Sequence, residues 1–572
     1  MAILSLHGGH NASASIIRDE KGKIKCWCIE SERIDRIKMS CVCDRYTGDD
    51  FSPKKKSEWI LSKKTDFSNL IQHIMDESGV TYEEIDKIVL SQNTDIKRLP
   101  YKFLYKPIEY VSHHKAHAAL AYYTSKFDDA LVIVCDGSGE KVDDGYETQS
   151  AWSCSGSKIE KIMGTYKKNT YNMGIGNAYE LYTYWLGYGY NGCGTTMALA
   201  SFDEECGKYD KGIFQFSTNG DVFLNKQFVD VESHVKKIGY VKKGTMAYNQ
   251  EHEKAMRSIE LPRGYRLRNY NDNSVQKEFI IMASDIQHAT EKAVTYYLDF
   301  AHKKKPMHKS VCLAGGVFLN CNLNSKIREE EWVDDIYVPT APGDGGLSLG
   351  GALSVYFASH ERCPIYQTEY IGTKIKKLSL ENRDDICAKV YDNIYEETAK
   401  QLAEGKIVGW CQGRAEFGPR ALGHRSLLAD PSKQDIPMYI NNKLKHREAF
   451  RPFAPSVLEE KYYEYFEGEM PIPYMLETRK IRDAKIAEIP AVCHIDRSAR
   501  VQVVSKDNCK ELYCLLKEFD KITNIPVLLN TSLNRNGEPI VDSAEDAAKL
   551  LSKGMIDLLV IDDTMYFRNP DY

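Results

Sequence analysis

The stretch Leu131-Val132-Ile133-Val134-Cys135, running straight into Asp136-Gly137-Ser138-Gly139-Glu140, decides the fold class. A short apolar run closed by a glycine turn reads as a buried strand that delivers polar residues at its carboxyl end. The same pattern recurs twice. Ser310 to Leu313 leads through Ala314-Gly315-Gly316-Val317 into a helix over Asn320–Ile327, and Ile336-Tyr337-Val338 leads through Ala341-Pro342-Gly343-Asp344-Gly345-Gly346 into a helix through Gly350–Ser359. Between them, Phe279, Ile280, Ala283, Ile286, Ala289 and Ala293 recur at helical spacing within Lys277–His302. Near the start, the strand Ala2–Leu6 meets a glycine turn. A hairpin follows, with Ala14-Ser15-Ile16-Ile17 and Ile24-Lys25-Cys26-Trp27-Cys28-Ile29 joined by Asp19-Glu20-Lys21-Gly22. Strands alternating with helices and glycine turns predict an α/β domain whose ligand sites lie at strand carboxyl ends.

Working outward, the pattern breaks at Glu361-Arg362-Cys363-Pro364, read as a linker between a domain over 1–360 and another over 365–572. Beyond it come a helix over Glu396–Glu404, a strand over Ile407–Trp410 and a strongly basic region; residues 230–275 are charged and irregular and read as a surface insertion. The 572 residues, 42% hydrophobic and 27% charged, exclude wholesale disorder. With 76 basic and 81 acidic side chains the net charge is −5, which argues against polymeric nucleic acid as a partner but leaves room for a local anion pocket. No run approaches the roughly 20 apolar residues of a membrane span, and the amino terminus lacks the basic region of a signal peptide. The 16 cysteines include no C-x-x-C. Of the two C-x-C pairs, Cys26/Cys28 and Cys41/Cys43, the first sits on one face of a strand, so these read as reduced packing thiols of a cytoplasmic protein.

Three constellations carry chemistry. In Val111-Ser112-His113-His114-Lys115-Ala116-His117, a helix would put His113 and His117 on one face, as two ligands to one metal require. Fifteen histidines in 572 positions give about 0.4 such pairs by chance, so the pair gains weight only from Asp136 and Asp344, which would project at the same sheet edge. Two histidines and one or two carboxylates suit Fe(II), Zn or Mn. The second is Gly413-Arg414-Ala415-Glu416-Phe417-Gly418-Pro419-Arg420-Ala421-Leu422-Gly423-His424-Arg425-Ser426, followed by Lys445-His446-Arg447-Glu448 and Phe450-Arg451-Pro452-Phe453-Ala454-Pro455. From Glu404 to Pro455 there are nine Lys/Arg and five Asp/Glu, a local +4, and interleaving with Gly, Pro and Phe favours an oxyanion pocket over a solvated face. The third is Pro526-Val527-Leu528-Leu529-Asn530-Thr531-Ser532-Leu533-Asn534 with Gly537-Glu538-Pro539-Ile540, which offers neutral hydrogen-bonding groups at a strand end.

The last two blocks, together with His10-Asn11-Ala12-Ser13-Ala14, His113-x-x-x-His117, Asp136-Gly137, Ala314-Gly315-Gly316-Val317-x-x-Asn320 and Pro342-Gly343-Asp344-Gly345-Gly346, resemble the O-carbamoyltransferases, from about Ile3 to Phe567. The resemblance implies an actin-like (ASKHA-type) ATPase domain followed by a YrdC-like α/β domain. It implies an enzyme that makes carbamoyl-adenylate from ATP and carbamoyl phosphate, then passes the carbamoyl group to a hydroxyl of a small molecule. Carried over residue by residue, it implies that His113, His117, Asp136 and Asp344 hold a divalent metal, Fe(II) by analogy and Mg as a further candidate. It also implies that Arg420, Lys445, Arg451, Arg500, Ser532 and Asn534 bind carbamoyl phosphate, and that Gly137, Gly315, Gly316, Asn320 and Asp344 meet the nucleotide. His10 and Lys38 would lie by the transfer site, with His10 as candidate base, and Arg420 and Lys445 would share in catalysis.

Three motifs depart from the family pattern: Gly194-Thr195-Thr196-Met197-Ala198-Leu199-Ala200 lacks its lysine and second glycine, Asn11 replaces an acidic residue, and Leu533 replaces Phe. The expected acceptor is an antibiotic sugar, a surface-polysaccharide sugar or a hydroxymethylated nucleotide, with no polymeric nucleic acid or membrane as partner and a homodimer as the default assembly. The alternatives are a fused threonylcarbamoyl-AMP synthase and tRNA transferase, or a non-catalytic nucleotide-binding regulator.

Overall fold

The computed structural model describes residues 1–42, 66–91, 94–142, 145–167, 173–186, 188, 192–203, 212–225, 277–381 and 383–569. The insertion expected at 230–275 and Cys43 lie outside or largely outside them. The protein is α/β. Strands β1 (Ala2–His7), β2 (Ser13–Asp19), β3 (Ile24–Glu30), β4 (Ile85–Ser91) and β5 (Ile108–Val111) form one sheet in the order β3-β2-β1-β4-β5. The β1–β2 and β2–β3 pairs are antiparallel, whereas β1–β4 and β4–β5 are parallel. The β2–β3 turn closes where the sequence predicts it, with the Gly22 amide donating to Asp19 Oδ1 at 2.8 Å.

A second sheet contains β6 (Asp129–Cys135), β7 (Gly145–Ser155), β8 (Ser310–Ala314) and β9 (Asp335–Tyr337) in the order β9-β8-β6-β7. Strands β6, β8 and β9 run parallel, so their carboxyl ends share one edge. Buried on both faces, β6 is apolar along nearly its whole length instead of alternating. Helices α1 (His113–Thr124), α2 (Lys277–Lys304), α3 (Cys321–Arg328) and α4 (Leu347–Phe357) follow the predicted periodicities, α4 starting slightly earlier than Gly350. Helix α4 packs on β1, β2 and β4, α1 packs on β6 and β8, and the two helices pack on each other, forming the layer between the sheets.

The remaining large sheet is built wholly beyond residue 385. It comprises β10 (Ile386–Val390), β11 (Val408–Cys411), β12 (Arg425–Ala429), β13 (Ala454–Leu458), β14 (Gln502–Val504), β15 (Val527–Ser532), β16 (Leu558–Ile561) and β17 (Thr564–Arg568), in the order β10-β17-β16-β11-β12-β15-β13-β14. Helix α5 (Lys510–Thr523) buries Leu512, Leu515, Leu516 and Phe519 at three- and four-residue spacing. The segment between the two halves is a hydrogen-bonded strap. Pro364 and Ile371 accept from the amides of Ile24 and Cys28 at 3.0 Å each, and Ile375 then donates to Gly413 at 2.7 Å.

Several bonds across the seam end on main-chain carbonyls. Arg33 donates to Gly418 O at 2.9 Å, Arg36 to Ile540 O at 2.7 Å and Pro539 O at 2.9 Å, and Asn324 to Leu476 O at 2.8 Å. Cys26, Cys28 and Cys41 are buried. Among the described residues no helix is long and apolar enough to cross a membrane.

Candidate active site

Two close approaches of backbone build the first half of the site. Gly315 sits at φ +99°, and a β-carbon there would stand 2.1 Å from Cys135 O. The turn after β8 therefore lies directly on the end of β6, and the Gly316 amide donates to Asp136 Oδ1 at 2.9 Å. Where α1 and α4 cross, a β-carbon on Gly350 would stand 2.0 Å from Ala116 O. Helix contact this close brings Asp344, in the short turn that leads into α4, onto the His113/His117 face of α1.

The result is a buried knot of ligating atoms. His113 Nε2 lies 3.1 Å from Asp136 Oδ2, 3.5 Å from Asp344 Oδ1 and 3.2 Å from His117 Nε2, which is itself 3.5 Å from Asp344 Oδ1. All four side chains are buried, and their ligating atoms lie within 4.8 Å of one another. Burial pulls the His113 imidazole down, but the Asp344 charge and the Asp136 hydrogen bond outweigh it and hold it up at about 9. Burial works against ionised Asp136 as well, yet His113 and His117 keep it well below the usual carboxylate range. Two carboxylates and two imidazoles face one another, a donor set that suits Fe(II), Zn or Mn. The cluster could hold a metal.

Around it, His10 is half exposed, with Nε2 3.2 Å from Asp344 Oδ2, and that carboxylate raises its proton affinity. His7 is held neutral by burial, down to about 3, with Nδ1 2.7 Å from Ser91 Oγ. Gly137 lies beside Asn177 and Glu180. Burial, then the Asp136 charge, pushes the Glu180 carboxyl up to about 7. Glu180 carries no motif signal; only the fold brings it to Gly137. Asn320 is engaged internally: its Oδ1 caps α3 at the Leu323 amide, and its Nδ2 donates to Gln287 at 2.9 Å.

The second half of the site is cationic. Lys445 ends a π-helical turn, Asn441–Lys445, a geometry frequent at functional sites. Its ammonium donates to Ser532 O, to Ser532 Oγ at 3.2 Å and to Asn534 Oδ1 at 2.6 Å, so the Asn-Thr-Ser-x-Asn stretch at the end of β15 holds a lysine. Burial, then Arg447, Arg451 and Lys38, drives the Lys445 proton affinity well down; exposed Lys38 thus faces the second half across the seam.

Arg420 is lowered to about 9 by burial, Arg500 and Arg451, and Arg447 to about 9 by burial, Arg451 and Arg500. Both remain charged at neutral pH. Arg451 stands 3.9 Å from Glu448, and the buried Nε atoms of Arg420 and Arg500 make no hydrogen bond. Arg420 instead donates to Leu319 O at 3.2 Å, next to Cys321, whose thiol also feels Arg500. Arg447 belongs to this group although its motif did not single it out. A side chain on Gly418 (φ +107°) would strike Thr340 O at 2.3 Å, so the arginine loop rests against the segment that ends in Asp344.

Residues 83–353 match the carbamoyltransferase N-terminus family, and residues 399–568 match the carbamoyltransferase C-terminus family. The chain belongs to the carbamoyltransferase family. This carbamoyltransferase is 32% identical to nodulation protein NolO of Bradyrhizobium diazoefficiens over 480 residues, covering 80% of this chain and 79% of the relative. It is 33% identical to the uncharacterized protein sll1178 of Synechocystis sp. over 495 residues, 80% and 76% of the two chains. It is 30% identical to the uncharacterized protein MJ1051 of Methanocaldococcus jannaschii over 574 residues, 98% of each. Among solved structures, full-length HypF in its phosphate- and nucleotide-bound form covers 62% of this chain and 55% of its own at 16% identity; with a TM-score of 0.33, that overlap does not establish a common fold.

Proposed function

We propose that this carbamoyltransferase uses ATP and carbamoyl phosphate to make carbamoyl-adenylate, and then carbamoylates a hydroxyl of a small molecule. The supporting observation is the second pocket. Arg420, Arg447, Arg451, Arg500 and Lys445 crowd together with proton affinities lowered by burial, and in all but Arg500 by one another. Like charges crowded at partly buried positions are costly, and a bound dianion such as carbamoyl phosphate offsets that cost. The pocket gives guanidinium forks for the phosphate, with the Lys445 amino group held by Ser532 and Asn534. We read the first half as an actin-like nucleotide-binding fold and the second as YrdC-like. The β3-β2-β1-β4-β5 order, with its hairpin and glycine turn after β1, supports the first.

In this scheme carbamoyl phosphate loses inorganic phosphate to water. The resulting carbamate oxygen attacks the α-phosphorus of ATP, and pyrophosphate leaves. The acceptor hydroxyl then attacks the carbamoyl carbon, AMP departs with the bonding pair, and a base takes the hydroxyl proton. His113, His117, Asp136 and Asp344 would hold a divalent cation, Fe(II) by resemblance to the family, which when bound supplies Lewis-acid charge against phosphate oxygens. Gly137, Gly315 and Gly316 present backbone close to that cluster, where a nucleotide can approach without steric hindrance. Two groups can receive the proton: His10 at the rim, and Glu180, whose carboxyl at about 7 suits general-base work near neutral pH. The acceptor class is a hydroxylated sugar, antibiotic or nucleotide; a net charge of −5 disfavours a tRNA.

The test is incubation with ATP, carbamoyl phosphate and Fe(II), assayed for pyrophosphate and carbamoyl-adenylate. Arg451→Ala should abolish adenylate formation. Undiminished synthesis by that variant would remove the second pocket from the scheme, and tight ATP binding without carbamoyl phosphate consumption would favour the regulator.

A further inference from the structure

A second cluster of metal-ligating side chains lies outside the site above. His424, Cys509 and Glu511 bring a ring nitrogen, a sulfur and a carboxylate oxygen within 4.8 Å of one another. We propose that they bind a zinc-class divalent cation that ties the loop carrying Arg420 to the start of α5. Nothing in this inference depends on the reaction assigned above.

His424 is set up as a ligand. Its Nδ1 lies 2.6 Å from Arg414 O, and beside a carbonyl oxygen that nitrogen must carry the proton and donate. Metal-bound histidines are oriented by this kind of bond, which leaves Nε2 for the cation. The ring stacks on Tyr370 at 3.8 Å between centroids and 20° between planes, which fixes where Nε2 points. That nitrogen is buried and makes no hydrogen bond; the nearest carboxylate oxygen, Glu511 Oε2, is 3.6 Å away. His424 is only 7% exposed, so a cation shared with Glu511 and Cys509 would give that nitrogen a direct partner where water cannot.

The other two ligands come from one rigid turn. Cys509, 3% exposed, immediately precedes α5, where its amide donates to Ser505 O at 3.1 Å and its carbonyl accepts from Tyr513 at 2.9 Å. Glu511 lies in the first turn of the same helix, half-buried, so one side of the cluster opens toward solvent. Imidazole, thiolate and carboxylate suit four-coordinate zinc with water in the remaining position, and the sulfur disfavours Mg²⁺ and Ca²⁺.

What such a cation would hold is also visible. Glu416 Oε1 accepts from the amides of Leu422, His424 and Arg425 at 2.7, 2.7 and 3.0 Å, drawing the loop into one unit. A bond from His424 to α5 would anchor that unit from outside, making His424 a positioning residue for Arg420.

The experiment uses the full-length chain, stripped with a chelator and titrated with Co(II). A thiolate ligand gives a sulfur-to-cobalt charge-transfer absorption, to which the sulfur-free His113/His117/Asp136/Asp344 cluster is silent. We expect the band to saturate by two equivalents of Co(II), since the other cluster can take one silently, and Zn(II) to displace it. The band should persist in His113→Ala, vanish in Cys509→Ser and need roughly tenfold more Co(II) in Glu511→Gln. Glu511→Gln sits at a half-buried position and serves where Cys509→Ser fails to fold by circular dichroism. No band in the wild-type chain, a band undiminished in folded Cys509→Ser, or an unchanged titration in Glu511→Gln would overturn the site and leave a hydrogen-bonded His–Cys–Glu cluster. Loss of adenylate synthesis alone would leave it standing.

Discussion

Gly350 and Ala116 meet backbone to backbone: a β-carbon on the glycine would stand 2.0 Å from the alanine carbonyl oxygen. That contact sets the separation between the histidine face of α1 and Asp344 ahead of α4. Gly350→Ala must push the helices apart, because the obstacle is main chain and not a flexible side chain. The expected cost is about 1–3 kcal/mol in denaturant unfolding, accompanied by faster loss of bound metal on dialysis.

His113→Ala removes the imidazole that touches both Asp136 and Asp344. After equilibration with Mn(II), which the thiolate-containing His424/Cys509/Glu511 cluster disfavours, and desalting, metal retained per chain should fall roughly tenfold or more, read by mass spectrometry. Retention equal to wild type would mean that the ion sits elsewhere.

Arg500→Met relieves repulsion in the cationic pocket. Without ligand the variant should unfold at an equal or higher denaturant concentration than wild type, because one buried, incompletely bonded charge is gone. With phosphate at 100 times its dissociation constant, the wild-type chain should gain about 2.7 kcal/mol, and the variant less than half of that. A variant that loses stability without ligand and keeps the phosphate gain would contradict this reading of the pocket.

Much of this was legible beforehand. The apolar runs ending in Asp136-Gly137 and Gly315-Gly316 announced parallel strands with a shared functional edge, since such strands are buried on both faces. The i, i+4 spacing of His113 and His117 announced a common helix face. Other features were not legible, each for a physical reason. Glu180 has no spacing relation to Asp136 and meets its surroundings only through folding. That Ser532 and Asn534 accept from the Lys445 ammonium was not legible either, because an isolated strand end does not show which cation will approach it. The main-chain bonds that Pro364 and Ile371 make to Ile24 and Cys28, at and beyond the linker read at Glu361–Pro364, were not legible, because edge-strand hydrogen bonds leave no side-chain signature.

Asp546 provides a pH test. It lies 3.6 Å from Arg36 across the seam and caps its own helix through Ser543. Burial favours its neutral form, but Arg36 and the Lys549 and Ser543 hydrogen bonds outweigh that and lower its proton affinity. A carboxylate depressed in the folded state stabilises above its unfolded value of about 3.9 and loses that contribution as pH falls through its lower folded value. Asp546→Asn should therefore unfold about 1 kcal/mol more easily at pH 7. The difference should persist at pH 5 and shrink below about 4, as measured by urea titration at each pH. A gap that widened on acidification would contradict the assignment.

The seam has a consequence for divergence. Arg33, Arg36 and Asn324 grip carbonyl oxygens of Gly418, Ile540, Pro539 and Leu476, atoms that every amino acid supplies. Docking is thus specified partly by these donors against a path of peptide units, and partly by side-chain pairs such as Arg328–Glu477, Arg414–Glu77 and Arg36–Asp546. Carboxyl-terminal halves exchanged between relatives should therefore seat correctly only where those donors and the charged partners Asp546, Glu477 and Arg414 are kept, while the carbonyl path tolerates drift in the side chains that carry it.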